Sequence, residues 1–344
     1  MTTPNTNWKE TPTTDEDARF EKLAQRFVAL QARHAKAGVG RALHRKHHHG
    51  FVGTLEVLPD LPAHARHGLF ARPGTYEALV RFSNGSHATQ ADHVDDVRGI
   101  AVKVLGVAGE KVLGQATTQD FLAVLGSSTP FRTADEFVAT VWASRSKPLA
   151  LFRLIGALGP GRAFSILKQL LAGLKGPRRS LATRRFFSAL PIQCGPYAVR
   201  FSFIPKTTEG EALSAERDLY AHDLAGRLRE GPISYDLALQ FFVDEEHTPI
   251  EDGSKDWEES VSPYVTVARL AIETQDVRGD RGRAITERIE QLSFDPWHAL
   301  VAHKPLGNMM RARKHAYFVS AQGRQATPEP TTIAALVGEP TARA

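Results

Sequence analysis

Residues 197–203, YAVRFSF, and residues 233–241, ISYDLALQF, decide the fold class. In the first stretch Tyr197, Val199, Phe201 and Phe203 alternate with Ala198, Arg200 and Ser202. In the second, Ile233, Tyr235, Leu237, Leu239 and Phe241 alternate with polar or small residues. A period of two puts each apolar set on one face of a strand, as in a sheet that covers a core. Working outward, Thr54–Leu58, Tyr76–Phe82, Ile100–Leu105 and Val261–Ile272 read as further strands, the second opened by a Pro73-Gly74 turn. Helical spacing governs residues 15–36, where Phe20, Leu23, Phe27 and Leu30 share a face, and also Ala215–Glu230 and Ala284–Leu292. Strands in groups separated by helices, without strict βα alternation, predict an α+β fold with an antiparallel sheet, closed into a barrel. With no internal repeat and no linker, one domain is expected over residues 15–324. The polar, Pro/Thr-rich residues 1–14 are expected to be disordered and residues 325–344 to form a loose tail.

Composition narrows the class. The 344 residues are 42% apolar and 24% charged, which excludes a wholly disordered or fibrous chain. Cys194 is the single cysteine, so no internal disulfide and no multi-cysteine metal site can form. No apolar run reaches the ~18 residues of a membrane span, and the N-terminal stretch lacks a secretory signal's apolar segment; a cytoplasmic location is expected. The net charge of +5 is unevenly placed: residues 145–185 hold ten Lys or Arg and no acidic residue. The same stretch carries Leu149, Leu151, Phe152, Leu154 and Ile155, then Phe164, Ile166, Leu167, Leu170 and Leu171. Basic amphipathic helices of this kind either present a solvated face, lie on a lipid surface or guard an apolar ligand's entrance. No nucleic-acid partner is expected.

Generic catalytic motifs are absent: no Walker loop, GxGxxG, GxSxG or HExxH occurs. His47-His48-His49 reads as an exposed histidine-rich turn rather than a metal site, which would need fixed geometry and supporting hydrogen bonds. Arg313 and Tyr317 are four apart in a helical stretch and so share a face. A guanidinium beside a phenol, whose ordinary pKa is about 10, favours phenolate, an oxygen ligand able to hold ferric haem iron. Taken alone, such a pair is ordinary surface packing.

Longer motifs give the pair a context. RALHRKHHHGFVGTLEV (41–57) resembles the segment that carries the distal histidine of haem catalases. DLPAHARHGLFARPGTYEALVRFSNGS (60–86) and DDVRGIAVKVL (95–105) resemble the barrel strands that follow it, and TTQDFLAVLGSSTPF (117–131) the next distal element. PIEDGSKDWEESVSPYVTVARLAI (249–272) and LSFDPWHALVAHKPLGNMMRARKHAY (292–317) resemble the later barrel and the proximal helix. In order, over about residues 38–324, the chain is similar to the haem catalase superfamily, and within it to the short bacterial catalase-related haem peroxidases.

That resemblance implies a catalase-like antiparallel β-barrel with surrounding helices, and haem b as cofactor. It implies that His44 is the distal acid–base, which takes a proton from a peroxide's inner oxygen and returns one to the leaving oxygen. It implies that Ser83 orients His44, that Arg41 and Arg81 pair with haem propionates, that Tyr317 is the iron ligand and that Arg313 is its charge partner. His298, His303 and His315 are taken as packing or surface groups. One departure stands out: the larger catalases have an asparagine in a Gly-Asn-Asn-Thr-Pro segment, where this chain has Gly126-Ser127-Ser128-Thr129-Pro130, with Ser128 at the asparagine's place. A hydroxyl offers one donor where an amide offers two, so handling of a second peroxide is expected to be weak. The expected activity is peroxide reduction with an unidentified electron donor, with organic hydroperoxides as substrates besides hydrogen peroxide, in a homo-oligomer. A hydroperoxide isomerase like the catalase-related allene oxide synthases is the alternative enzyme; those relatives tend to carry a hydroxyl residue before the distal histidine, where this chain has Leu43. A haem-binding sensor or carrier is the non-enzymatic alternative.

Overall fold

Nine antiparallel strands build one sheet in the computed structural model, which describes residues 4–33, 40–145, 147–174, 178–208, 213 and 217–338. They are β1 (His47–Val57), β2 (Gly74–Asn84), β3 (Arg98–Leu105), β4 (Thr118–Val124), β5 (Phe186–Phe187), β6 (Ile192–Cys194), β7 (Tyr197–Pro205), β8 (Ile233–Phe241) and β9 (Val265–Ile272). The order β5-β4-β3-β2-β1-β9-β8-β7 closes on itself because Phe186 and Phe187 of β5 also pair with Phe203 and Ser202 of β7. Eight strands therefore form a closed barrel, and β6 pairs only on the outer part of β7. Closure leaves no long unpaired edge. Its interior is aromatic: Phe51, Phe82, Phe186, Phe203 and Tyr235 meet edge-on or tilted, all buried. The Tyr235 hydroxyl donates to the Leu181 carbonyl at 2.7 Å, so the one polar tip in that group is satisfied.

Helices wrap the barrel: α1 (Glu16–Arg33), α2 (Ala134–Ser144), α3 (Ala150–Leu158), α4 (Pro160–Leu174), α5 (Leu219–Glu230), α6 (Asp280–Gln291), α7 (Asn308–Gly323) and α8 (Ile333–Val337). α1 buries Phe20, Ala24, Phe27 and Leu30, the face its spacing predicts, and packs along α7; residues 34–36 of the expected helix lie outside the described residues. The basic stretch forms two helices, divided where Gly159 takes φ +76° and Pro160 begins the next. α5 starts at Leu219; Ala215 and Glu216 lie outside the described residues.

Four expectations differ from the structure. The strand expected from Val261 begins at Val265, because Val261 turns back onto the Glu258 carbonyl and Pro263 cannot donate to a ladder. Residues 4–14 are fastened rather than disordered: Asn5 donates its backbone N–H to the Phe242 carbonyl, Trp8 Nε1 donates to Pro196 O at 2.8 Å, and Glu10 accepts from Arg311 at 2.6 Å. Residues 325–338 of the expected loose tail are also tied down, by Leu336 packed among Leu79, Ile285 and Ile289 and by Glu329 paired with the buried Lys103; residues 339–344 lie outside the described residues. His47-His48-His49 is not an exposed turn but the start of β1. His48 is fully buried, and its Nε2 lies 2.7 Å from Asn84 Oδ1. Strand pairing across β1 and β2 carries the histidines into the wall of the barrel.

Candidate active site

The chemistry-bearing residues converge on one cavity of about 1070 Å³, at the upper end of the range for ligand and cofactor pockets. Ser83 and Arg81 lie two apart on β2, so the strand's period points both to the same face. His44 stands just before β1, with φ +53°, a left-handed backbone that L-residues seldom adopt. Two bonds hold it there: its N–H donates to the Gly85 carbonyl at 3.1 Å, and Arg81 Nη2 donates to its carbonyl at 2.7 Å. Its ring Nδ1 lies 2.9 Å from Ser83 Oγ, which leaves the second ring nitrogen for proton exchange. Gly99 on β3 makes room for the ring: a Cβ there would come within 2.8 Å of His44 Cε1. Burial, then the Arg81, Arg313 and Arg41 guanidiniums, pull the imidazole's pKa from 6.5 to about 3. At neutral pH it is uncharged and able to accept a proton.

α7 supplies the other set. Its start is anchored by carboxylates: Glu251 accepts from the Asn308 N–H at 2.7 Å and Glu10 from the Gly307 N–H at 2.9 Å. These are helix N–H groups that would lack partners, at the positive end of the dipole. One turn later Arg311 ties Glu10, Glu16 and Glu251 together. From that fixed start Arg313 and Tyr317 project into the cavity, with Arg313 Nη2 donating to the Tyr317 hydroxyl at 2.6 Å and its guanidinium also over the phenol ring.

Arg41 and Arg81 meet at one end of the cavity, and there the structure adds two residues that sequence reasoning missed, Arg324 and Glu290. Arg81 Nε donates to Glu290 Oε2 at 2.7 Å, and Arg41 pairs with Glu290 Oε1. Arg41 and Arg324 both donate to the Leu292 carbonyl, at 2.7 and 2.6 Å. Burial would raise the Glu290 pKa, but Arg81 and Arg41 hold it at about 2. Burial, followed by repulsion from Arg81, lowers that of Arg41. Arg324 had a readable signal: it lies seven residues beyond Tyr317, two helical turns along the same face. Glu290 had none, since nothing in its own neighbourhood marks it out. Ser128 lines the same cavity, as do apolar side chains including Phe27, Ile100, Phe131, Phe137 and Met309.

His298 and His303 lie off this cavity. His303 is buried and accepts from the Leu69 N–H at 2.9 Å through Nε2. His315 packs near Phe20 and Asp17. Among the described residues the one group spaced to hold a metal is Asp120, His298 and Glu329, and there the Lys103 ammonium already bridges both carboxylates.

The fold is that of the catalases. It superposes on a bacterial catalase with TM-score 0.66 at 17% identity, covering 99% of this chain and 66% of that one. It likewise matches a fungal catalase (TM-score 0.68, 17% identity, 94% and 65% covered) and catalase A of Saccharomyces cerevisiae (0.67, 16%, 94% and 67%). The chain thus spans about two thirds of the length of these catalases. In sequence it is similar to a catalase-related peroxidase of Mycolicibacterium paratuberculosis (strain ATCC BAA-968 / K-10), 26% identical over 276 residues, which are 73% of this chain and 78% of that protein. No family model matches.

Proposed function

We propose that the protein is a haem-dependent peroxidase that reduces hydrogen peroxide and organic hydroperoxides. The observation that carries this reading is that one cavity is lined by a held, neutral histidine from the β1–β2 side and by an Arg-paired phenol from α7. The chemistry of the donors fits haem b. The walls are apolar, as a porphyrin face requires. At one end stand three guanidiniums: Arg41 and Arg81 pair with the Glu290 carboxylate and Arg324 donates to the Leu292 carbonyl, an excess of positive charge suited to propionates. Tyr317 would hold the iron as phenolate, with Arg313 stabilising the anion. When bound, haem supplies the redox chemistry that splits the O–O bond.

The chain's own residues do the proton work. His44, uncharged above about pH 3, accepts the proton of the peroxide's inner oxygen and delivers it to the outer one as that oxygen leaves. Ser83 and Arg81 fix the ring and backbone of His44, so the proton is taken and returned at one place. An external electron donor completes the cycle. Ser128 lines the cavity where the larger catalases' asparagine is expected, and its single donor orients a second hydrogen peroxide poorly. A hydroperoxide's apolar tail gains about 0.8 kcal/mol per buried methylene, so a few outweigh one lost hydrogen bond of about 1 kcal/mol. Leu43 before His44 does not favour the isomerase alternative.

The test compares oxygen evolution from hydrogen peroxide with donor oxidation by an organic hydroperoxide, in one preparation of full haem content. Weak oxygen evolution with efficient donor oxidation is expected. Vigorous oxygen evolution with little donor oxidation would overturn the substrate assignment, and a rearranged hydroperoxide without donor oxidation would favour an isomerase.

A further inference from the structure

The α3–α4 hairpin exposes apolar side chains that the catalytic cavity does not use. Phe152 is 73% exposed and Phe164 55%, with Leu149, Leu151 and Leu171 also on the surface. An exposed apolar patch on a folded protein marks an interaction surface. Beside it stands a basic cluster. The Arg145 guanidinium lies 4.3 Å from the centroid of the Trp142 ring and that of Arg26 lies 6.0 Å from it. Arg33 and Arg153 are close enough that, with Arg26, they depress the Arg145 pKa after burial has done so. None of the four has a carboxylate partner among the described residues, and Arg153 Nη1 is buried without a hydrogen-bond partner. The two acids of α2 are taken up by other arginines, Glu136 by Arg162 and Asp135 by Arg19.

We infer that the α3–α4 hairpin, with the guanidiniums of Arg26, Arg33, Arg145 and Arg153 beside it, docks on the surface of an anionic lipid bilayer. The charge selects the occupant. A second copy seated symmetrically would set four arginines against four, whereas anionic headgroups neutralise them while the exposed Phe and Leu side chains enter the acyl boundary. The same helices help to line the cavity, through Ala150 of α3 and Leu170 of α4. Docking therefore brings the cavity's wall to the bilayer and assigns lipid hydroperoxides as the substrate class. The substrate assignment rests on the proposed function; the docking does not.

The experiment sediments the haem-loaded protein with vesicles of phosphatidylglycerol and phosphatidylcholine, or of phosphatidylcholine alone, at low and high salt. Binding to the anionic vesicles that weakens with salt is expected, with little binding to the neutral ones. Arg145→Glu with Arg153→Glu should weaken it by roughly tenfold or more. Phe152→Ser, at an exposed position that does not support the core, should weaken it several-fold, with circular dichroism and haem content confirming the fold. Absence of wild-type binding, equal binding to neutral vesicles, or full binding by the double arginine variant would overturn the inference. So would an oligomer that Phe152→Ser dissociates, since the patch would then be an interface between copies. Vesicle binding without turnover of any hydroperoxide would leave the docking in place and overturn the proposed function instead.

Discussion

At the scale of single residues, the proposed chemistry depends on how His44 is held. Its backbone is in a left-handed conformation, its carbonyl is bonded by Arg81, its ring by Ser83, and Gly99 leaves the space it fills. Replacing His44 by Ala should retain haem and slow the reaction with peroxide by about 10²–10⁴-fold, the usual contribution of a positioned acid–base. Gly99→Ala should act through the same ring: the added methyl meets Cε1 at 2.8 Å and Nδ1 at 3.1 Å, so the imidazole must shift from its place beside Ser83. Stopped-flow mixing with a peroxide measures both, and a Gly99→Ala enzyme as fast as the wild type would show that the ring's position is not critical. The resemblance singled out His44, Ser83, Arg41, Arg81, Arg313, Tyr317 and Ser128, and the structure brings all of them to one cavity. Arg324 was legible only through its helical spacing from Tyr317. Glu290 was not legible at all, because its role comes from the barrel bringing Arg41 and Arg81 to the end of α6.

At the scale of elements, α7 carries Arg313 and Tyr317 and ends at Arg324, and its start is fixed by the acids Glu10, Glu16 and Glu251. Arg311 joins Glu10, Glu16 and Glu251, and its own pKa is driven up by those hydrogen bonds despite burial. Arg311→Met leaves three carboxylates crowded without their cation, a loss of about 3 kcal/mol or more. The expected outcome is a lower denaturation midpoint together with weaker haem binding, because the same helix carries Tyr317, the proposed iron ligand. An unchanged midpoint would show that the N-terminal segment is only laid against the body. This junction explains why residues 4–14 misled sequence reading. Their composition is that of a disordered tail, yet Asn5, Trp8 and Glu10 each find a partner about 190 to 300 positions away. The strand alternations in β7 and β8 were legible because each repeats within nine residues; the barrel was expected as well, but the two-residue β5 that closes it is too short to leave a pattern of its own.

At the scale of the whole molecule, buried neutral histidines set the response to acid. His48 and His303 are almost wholly buried, and burial holds the pKa of each at about 4. In the unfolded chain each titrates near 6.5. Between these values the unfolded state binds more protons, so stability is full above pH 6.5 and falls as pH drops toward 4, by up to about 1.4 kcal/mol per pH unit for each group. Asp295 works the other way: burial pushes its pKa up to about 6, so its stabilising contribution is lost as pH rises through 6. Two histidines outweigh one carboxyl, and the denaturation midpoint of the haem-free protein should fall between pH 7.5 and 4.5. A midpoint that is flat or rises over that range would contradict the burial of neutral His48 and His303.

The central claim is that one cavity holds haem through the Tyr317 phenolate. The visible absorption spectrum of the protein titrated with ferric haem tests it most directly, wild type beside Tyr317→Phe. The account predicts stoichiometric binding by the wild type, with a high-spin ferric spectrum of tyrosinate character. In Tyr317→Phe it predicts loss of that character with weaker retention, since the anionic ligand is gone while the arginine end of the cavity remains. A wild-type protein that takes up no haem, or a Tyr317→Phe variant with the same spectrum and the same haem content, would contradict it.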